Sequence, residues 1–98
     1  MKEIIAGLNK EFESRIRLGI MSALVVNDWM DFNTMKNLLD ITDGNLASHV
    51  AALEKAQYIE VKKEFMGKKP RTSYRSTQLG RKAFNSHLDQ LEKIIKAR

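Results

Sequence analysis

Thr42-Asp43-Gly44-Asn45-Leu46-Ala47-Ser48-His49-Val50-Ala51-Ala52-Leu53, followed closely by Tyr58-Ile59-Glu60-Val61, is the stretch on which the reading of the fold turns. Its first part has helical spacing: at about 100° per residue Leu46, Val50, Leu53 and Gln57 share one stripe, with Gly44, Asn45, Ser48, Ala52 and Lys55 turned away from it. Thr42 or Asp43 is the expected cap, and Ile41 the buried peg of the preceding turn. The second part begins a strand, because Ile59, Val61 and Phe65 alternate with Glu60, Lys62 and Glu64.

On the N-terminal side, Met35, Leu38 and Leu39 form the apolar stripe of a second short helix starting at Asn33 or Thr34 and ending near Asp40. Before it, Trp29-Met30-Asp31-Phe32 reads as a very short strand and Asn27-Asp28 as a turn. Ser14 is the expected N-cap of a helix running to about Val26, whose Ile16, Leu18, Ile20, Met21, Leu24 and Val25 mark it as central to the core. Residues 2 to 10 read as a further short helix, weakened by Gly7. On the C-terminal side, Gly67 and Pro70 bracket a hairpin loop and Thr72-Ser73-Tyr74-Arg75-Ser76 returns as the partner strand. Thr77 then caps a last helix reaching almost to Arg98. The expected architecture is mainly α with a small β-hairpin (α+β). It is one domain over 1–98, with an N-terminal helical arm at 1–12, a core at 13–76 and a C-terminal helix at 77–98.

Composition narrows the function classes. The chain has 98 residues, 43% of them hydrophobic, which suits one small folded core. It contains no cysteine, which removes disulfides, thiolate nucleophiles and cysteine-based zinc sites. No apolar run approaches the roughly 20 residues needed to span a bilayer, and the N-terminus lacks a signal-peptide pattern, so a cytoplasmic protein without a membrane partner is expected. No Ser/His/Asp arrangement, paired carboxylates, phosphate-cradling glycine loop or metal motif appears, which argues against an enzyme, and no cofactor is expected. The two histidines, His49 and His87, are far apart in the chain and have no companion ligands, so no metal site is expected.

Two segments carry the functional signal. The outward face of the central helix is small and polar. Asn45 can pair bidentately with adenine, Ser48 can donate or accept, and Gly44 and Ala52 allow close approach, all of which a helix in the major groove of DNA requires. The plainer alternative is an ordinary exposed polar face. His49, at the edge of the apolar stripe, either supports packing or reaches a phosphate. Basic charge is focused next: Lys62, Lys63, Lys68, Lys69, Arg71, Arg75, Arg81 and Lys82 are opposed between 62 and 82 only by Glu64, more positive charge than the net +5 of the whole chain. A basic hairpin tip suits phosphate contact or minor-groove insertion. Lysines also keep a hairpin edge soluble.

This order of elements, from Arg15 to about Leu88, resembles the winged helix DNA-binding domains of prokaryotic transcriptional regulators, closest to a small single-domain group allied to the MarR and ArsR families. The resemblance lies in Arg17-Leu18-Gly19-Ile20-Met21, Asp31-Phe32-Asn33-Thr34-Met35, Leu39 to Leu46, His49 to Ile59, Lys63 to Thr72 and Leu79-Gly80-Arg81. It implies a homodimeric repressor or activator on a palindromic duplex, with a recognition helix over Asp43 to Gln57 and a wing over Phe65 to Thr72. The DNA-contact residues it implies are Asp43, Gly44, Asn45, Ser48, His49 and Ala52 on the recognition helix. Asn33 and Thr34 at the preceding helix start, and Lys63, Lys68, Lys69, Arg71 and Arg75 on the wing, complete the set. Relatives often carry a basic residue at Ser48, and a proline where this chain has Gln78-Leu79.

Phe84, Leu88, Leu91 and Ile95 follow spacings of four, three and four, a heptad-like stripe. The domain has little core left to cover it, so a second subunit is expected to bury Phe84, Leu88, Leu91, Ile94 and Ile95. Ile4, Ile5, Leu8 and Phe12 would complete that interface. No residue pattern marks a small-molecule effector site. The competing function is a winged helix that docks a protein partner without specific DNA binding. Glu54, Glu60 and the apolar terminal helices suit it, whereas a Lys68-Lys69-Pro70-Arg71 tip does not.

Overall fold

A computed structural model describes residues 1–97, so Arg98, the last residue of the expected 77–98 helix, lies outside the described residues. The chain forms α1 (Lys2–Ala6), a 3-10 turn (Lys10–Phe12), α2 (Arg15–Val26), β1 (Met30–Asp31), α3 (Phe32–Leu39), α4 (Asp43–Lys55), β2 (Ile59–Met66), β3 (Lys69–Ser76) and α5 (Gln78–Lys96). The strands form one antiparallel sheet in the order β1-β3-β2. Tyr74 at its centre lies opposite Met30 on one side and Val61 on the other.

Capping chemistry sets the helix starts. The Ser14 hydroxyl accepts from the Arg17 N–H at 3.3 Å, Thr42 from Asn45 at 3.2 Å and Thr77 from Gly80 at 2.9 Å. Asp31 accepts from the Thr34 N–H at 2.7 Å, so α3 begins at Phe32, one or two residues before the expected Asn33 or Thr34. A carboxylate at the strand end made the stronger cap, and it shortened the expected strand to Met30–Asp31.

Ile20, Met21 and Leu24 of α2, Met35 of α3, and Leu46 and Leu53 of α4 are fully buried together. The helix-turn-helix therefore stands on α2. Several apolar residues depart from the periodicity. Leu38 is 61% exposed, because α3 is short and turns only Met35 fully inward. Gln57 leaves the expected α4 stripe: the helix ends at Lys55, and Gln57 adopts a left-handed conformation (φ 64°) that turns the chain into β2. The expected helix over residues 2 to 10 stops at Ala6. Asn9 then caps the 3-10 turn, its side chain accepting from the Glu11 N–H at 2.9 Å. This break drops Phe12 into the core, against Tyr58 and Phe84 at ring separations of 5.6 Å each. Phe12 and Phe84, expected at a subunit interface, are therefore core residues of the protomer itself, Phe84 being only 4% exposed.

The hairpin is longer and its loop tighter than expected. Met66 pairs with Lys69 and Phe65 with Pro70, leaving a two-residue turn, Gly67-Lys68. Gly67 has φ +67°, and no positive φ occurs at Lys68, the pattern of a type II′ turn with glycine in its first central position. Phe65 is not inward as the alternation suggested but 73% exposed, because the hairpin runs out past the core.

Candidate nucleic-acid interface

α4 presents Gly44, Asn45 and Ser48 to solvent, together with Ala47 and Ala51, while Ala52 is half-buried. The exposed face is thus small-residue and polar over about two turns. Among the described residues, the side chain of Asn45 makes no hydrogen bond within the protein; only its backbone is engaged, at the Thr42 cap. Its amide remains available as both donor and acceptor. Asp43 is different: its Oδ1 is 2.7 Å from Lys36 Nζ, an ion pair that ties the start of α4 to α3. Asn45 also rims a depression of about 370 Å³ with Arg15, Ile16, Leu39, Asp40 and Ile41. That places Arg15, an exposed cation at the first turn of α2, beside the exposed face of α4. Sequence reasoning passed over Arg15 because its neighbourhood to Asn45 exists only once α2 and α4 cross.

His49 is half-buried and faces inward. Its Nδ1 accepts from Arg17 Nε at 3.1 Å, and Arg17 Nη1 lies 2.7 Å from Glu11 Oε2. Burial, and then the Arg17 charge, push its pKa below 6.5. The contact links α4 to α2 and leaves His49 with one nitrogen already occupied.

The wing is β2 and β3 beyond the short β1. Lys63, Lys68 and Lys69 are exposed and form no ion pair among the described residues. Asn33, exposed at the start of α3, shares a cleft of about 390 Å³ with Met66, Lys69, Pro70, Arg71 and Thr72. Thr34 stands beside it, also exposed, with its N–H given to Asp31. The structure therefore brings the α3 start and the wing to one place. Asp31 is the link between them: it caps α3 and has Oδ2 3.6 Å from Arg71 Nε. Hydrogen bonds from the Thr34 backbone and side chain, and then the Arg71 charge, hold its carboxyl below 3.8 against a burial effect in the other direction. Arg71 is thereby partly held at the root of the tip, its Nε buried without a hydrogen-bond acceptor.

Arg75 is engaged within the protein. Expected on the wing, it lies far down β3, with Nε 2.8 Å from Glu60 Oε1, Nη1 4.0 Å from Asp28 Oδ1 and its guanidinium 4.6 Å from the Trp29 ring centre. Lys62 Nζ lies 4.3 Å from the same ring. Glu60 directly opposite Arg75 in the ladder is the physical reason: a cross-strand carboxylate satisfies the cation internally.

At the other end of the molecule α1 packs on α5. The first half of α5 buries Gly80, Phe84 and His87, and beyond His87 no residue of α5 is buried. Leu88 and Ile95 are exposed there, Leu91 and Ile94 half-buried; Ile4 and Leu8 are half-buried and Ile5 exposed. Seven of the nine expected interface residues thus form an apolar surface on α1, the turn after it and α5, Phe12 and Phe84 being the exceptions. No helix among the described residues is long and apolar enough to cross a membrane.

The profile of the winged helix DNA-binding domain family matches residues 16–95. An uncharacterized protein of Methanocaldococcus jannaschii is 32% identical over 87 residues, covering 89% of this chain and 95% of that protein. The structure of a transcriptional regulator homologue from Pyrococcus horikoshii superposes with a TM-score of 0.85 at 30% identity, over 98% of this chain and 93% of that one. Bacillus subtilis PadR, solved in complex with operator DNA, shares the fold with a TM-score of 0.69 at 12% identity, over 76% of this chain and 47% of that one.

Proposed function

The chain belongs to the winged helix DNA-binding domain family, and from that premise we propose that it is a homodimeric transcriptional regulator that recognises a specific, roughly palindromic duplex. α4 enters the major groove and the wing tip lies on the backbone or in the minor groove. The observation that carries this reading is the uncommitted face of α4: Gly44, Asn45 and Ser48 are exposed, and the Asn45 amide has no partner within the described protein. A free amide on a face of small residues is what adenine readout requires.

The unpaired Lys63, Lys68 and Lys69 supply phosphate contacts, which position the protein without reading sequence. Arg15, Asn33 and Thr34 flank the reading helix and complete the contact surface, and the operator complex of PadR supports the same use of the fold. Dimerisation buries the apolar surface of α1 and α5 and sets two recognition helices about 34 Å apart, one turn of duplex. A symmetric pair reads an inverted repeat for the same geometric reason.

The test is fluorescence anisotropy of the purified protein with a pool of genomic duplex fragments at two salt concentrations, followed by sequencing of the fraction retained at the higher one. Enrichment of an inverted repeat is the expected result. Absence of duplex binding at both salts refutes the proposal and favours a protein-docking winged helix.

A further inference from the structure

The wing carries an apolar face that its lysines do not explain. Phe65 and Pro70 lie directly opposite each other across the hairpin and both are exposed. The two-residue turn places the Met66–Lys69 pair next to it as the hydrogen-bonded closing pair, so Phe65–Pro70 is a non-hydrogen-bonded pair, in which opposing side chains approach most closely. This register also accommodates Pro70, which has no N–H to give to the ladder. The two rings therefore form one continuous patch near the far end of the hairpin, past the last β1 pairing at Ser73 and outside the core. An exposed aromatic on a projecting hairpin costs solubility unless something covers it.

Charge identifies the occupant. Lys63 lies two residues before Phe65 on the same face of β2, and Lys68 and Lys69 directly precede Pro70 at the turn. Between Phe65 and Pro70 there is no carboxylate. The surface that complements an apolar patch surrounded by cations is one of apolar rings alternating with anions. The wall of a nucleic-acid minor groove has this character, each deoxyribose lying between two phosphates.

Resting on the reading of the wing as a DNA-contacting element, we propose that Phe65, backed by Pro70, packs against the sugar wall of the minor groove and is an affinity determinant of the wing distinct from its lysines. The lysines contribute through counterion release, which depends on salt; the Phe65 contact contributes through area removed from water, which does not.

That difference gives the test. Phe65→Ala, Phe65→Leu and Lys68→Ala are titrated with a labelled mixed-sequence duplex over a salt series. Phe65→Ala is expected to weaken binding roughly tenfold at every salt, as loss of a buried aromatic contact would, with the salt slope unchanged. Phe65→Leu recovers most of the loss, and Lys68→Ala lowers the slope by about 0.9 for each protomer engaged on the duplex. Because Phe65 is outside the core, its variants are expected to keep the wild-type thermal midpoint. Wild-type affinity in Phe65→Ala overturns the inference. So does a loss that proves to follow from altered self-association in sedimentation, since the patch would then be covered by a second copy. If the wild-type protein itself fails to bind duplex at low salt, the parent reading falls; if wild type binds and Phe65→Ala binds equally, only this inference falls.

Discussion

At the scale of single residues, Asn45 and Lys68 are both exposed, and the proposed function gives them different tasks. An amide reads a base edge, whereas an ammonium neutralises phosphate whatever the sequence. Asn45→Ala is expected to cost about 1–3 kcal/mol on the enriched operator and little on unrelated duplex, eroding discrimination. Lys68→Ala weakens both alike. Competition titrations with specific and random duplex distinguish the two, and equal losses in Asn45→Ala would remove it from the recognition surface.

The histidines define a pH response. His87 is buried, its Nδ1 accepts from the Asn9 N–H at 3.1 Å, and its ring meets that of Phe12 at 5.3 Å. Burial pushes its pKa below 6.5, with Glu13 pulling weakly the other way. His49 is lowered as well, by burial and by Arg17. Imidazoles of the unfolded chain take up protons near pH 6.5, and the folded ones resist. The unfolded state therefore binds more protons below that pH, and stability is full above it and falls as the solution is acidified. Asp31, lowered from 3.8, adds its own loss only at more acid pH. Urea midpoints measured between pH 7 and pH 5 should fall with pH, and fall less steeply in His87→Gln, whose carbonyl can still accept from Asn9. A midpoint that is flat or rises on acidification contradicts this assignment.

At the scale of elements, the junction of α4, β2 and α5 shows how α4 is held. The Thr77 hydroxyl donates to the Gln57 carbonyl at 2.7 Å while accepting from the Gly80 N–H, and the Thr77 N–H donates to the Tyr58 carbonyl at 3.0 Å. One residue thus caps α5 and fixes the left-handed turn that leaves α4. Gly80 makes this approach possible: a Cβ there would sit 2.1 Å from the Tyr58 carbonyl oxygen. Gly80→Ala is expected to destabilise the protein by about 2–3 kcal/mol, because the obstacle is backbone and cannot swing aside. Chemical denaturation measures it, and a loss under about 0.5 kcal/mol, ordinary for a surface change, would show that α5 can shift.

Local chemistry was legible wherever one residue decides a boundary. Ser14, Thr42 and Thr77 are short polar side chains immediately before apolar periodicity, and each caps the expected helix. The break after Ala6 was not legible, because it depends on Asn9 reaching both its own turn and the Tyr58 hydroxyl, 2.8 Å away and 49 residues on. Exposure of Leu38 and Phe65 was hidden for a related reason: periodicity tells which way a side chain points but not whether anything stands opposite.

At the scale of the whole molecule, the chain is elongated, 54 × 25 × 21 Å. Its core gathers around α2, while the second half of α5 extends past it with Leu88 and Ile95 exposed and Leu91 and Ile94 half-buried. Nineteen residues of helix are far more than one small core can cover. Ile95 is 63% exposed, so Ile95→Glu should leave the protomer fold intact while opposing association. Sedimentation is expected to show a dimer for wild type and a shift toward monomer for the variant, with unchanged circular dichroism. Operator affinity should fall about a hundredfold or more as the second half-site is lost. A wild-type monomer at micromolar concentration would refute the dimer.

The sequence by itself determined the order of the main helices and strands, the caps of α2, α4 and α5 and the focusing of positive charge on the hairpin, because each depends on residues within a turn or two of one another. Only the tertiary structure decided which apolar and charged residues are free. Phe12 and Phe84 go to the protomer's own core, Arg75 goes to Glu60 and Trp29, His49 goes to Arg17, and Asn45 and Phe65 are left facing solvent. Whether a side chain is spent inside the fold depends on partners brought near from distant parts of the chain, and their positions are fixed only when the elements pack.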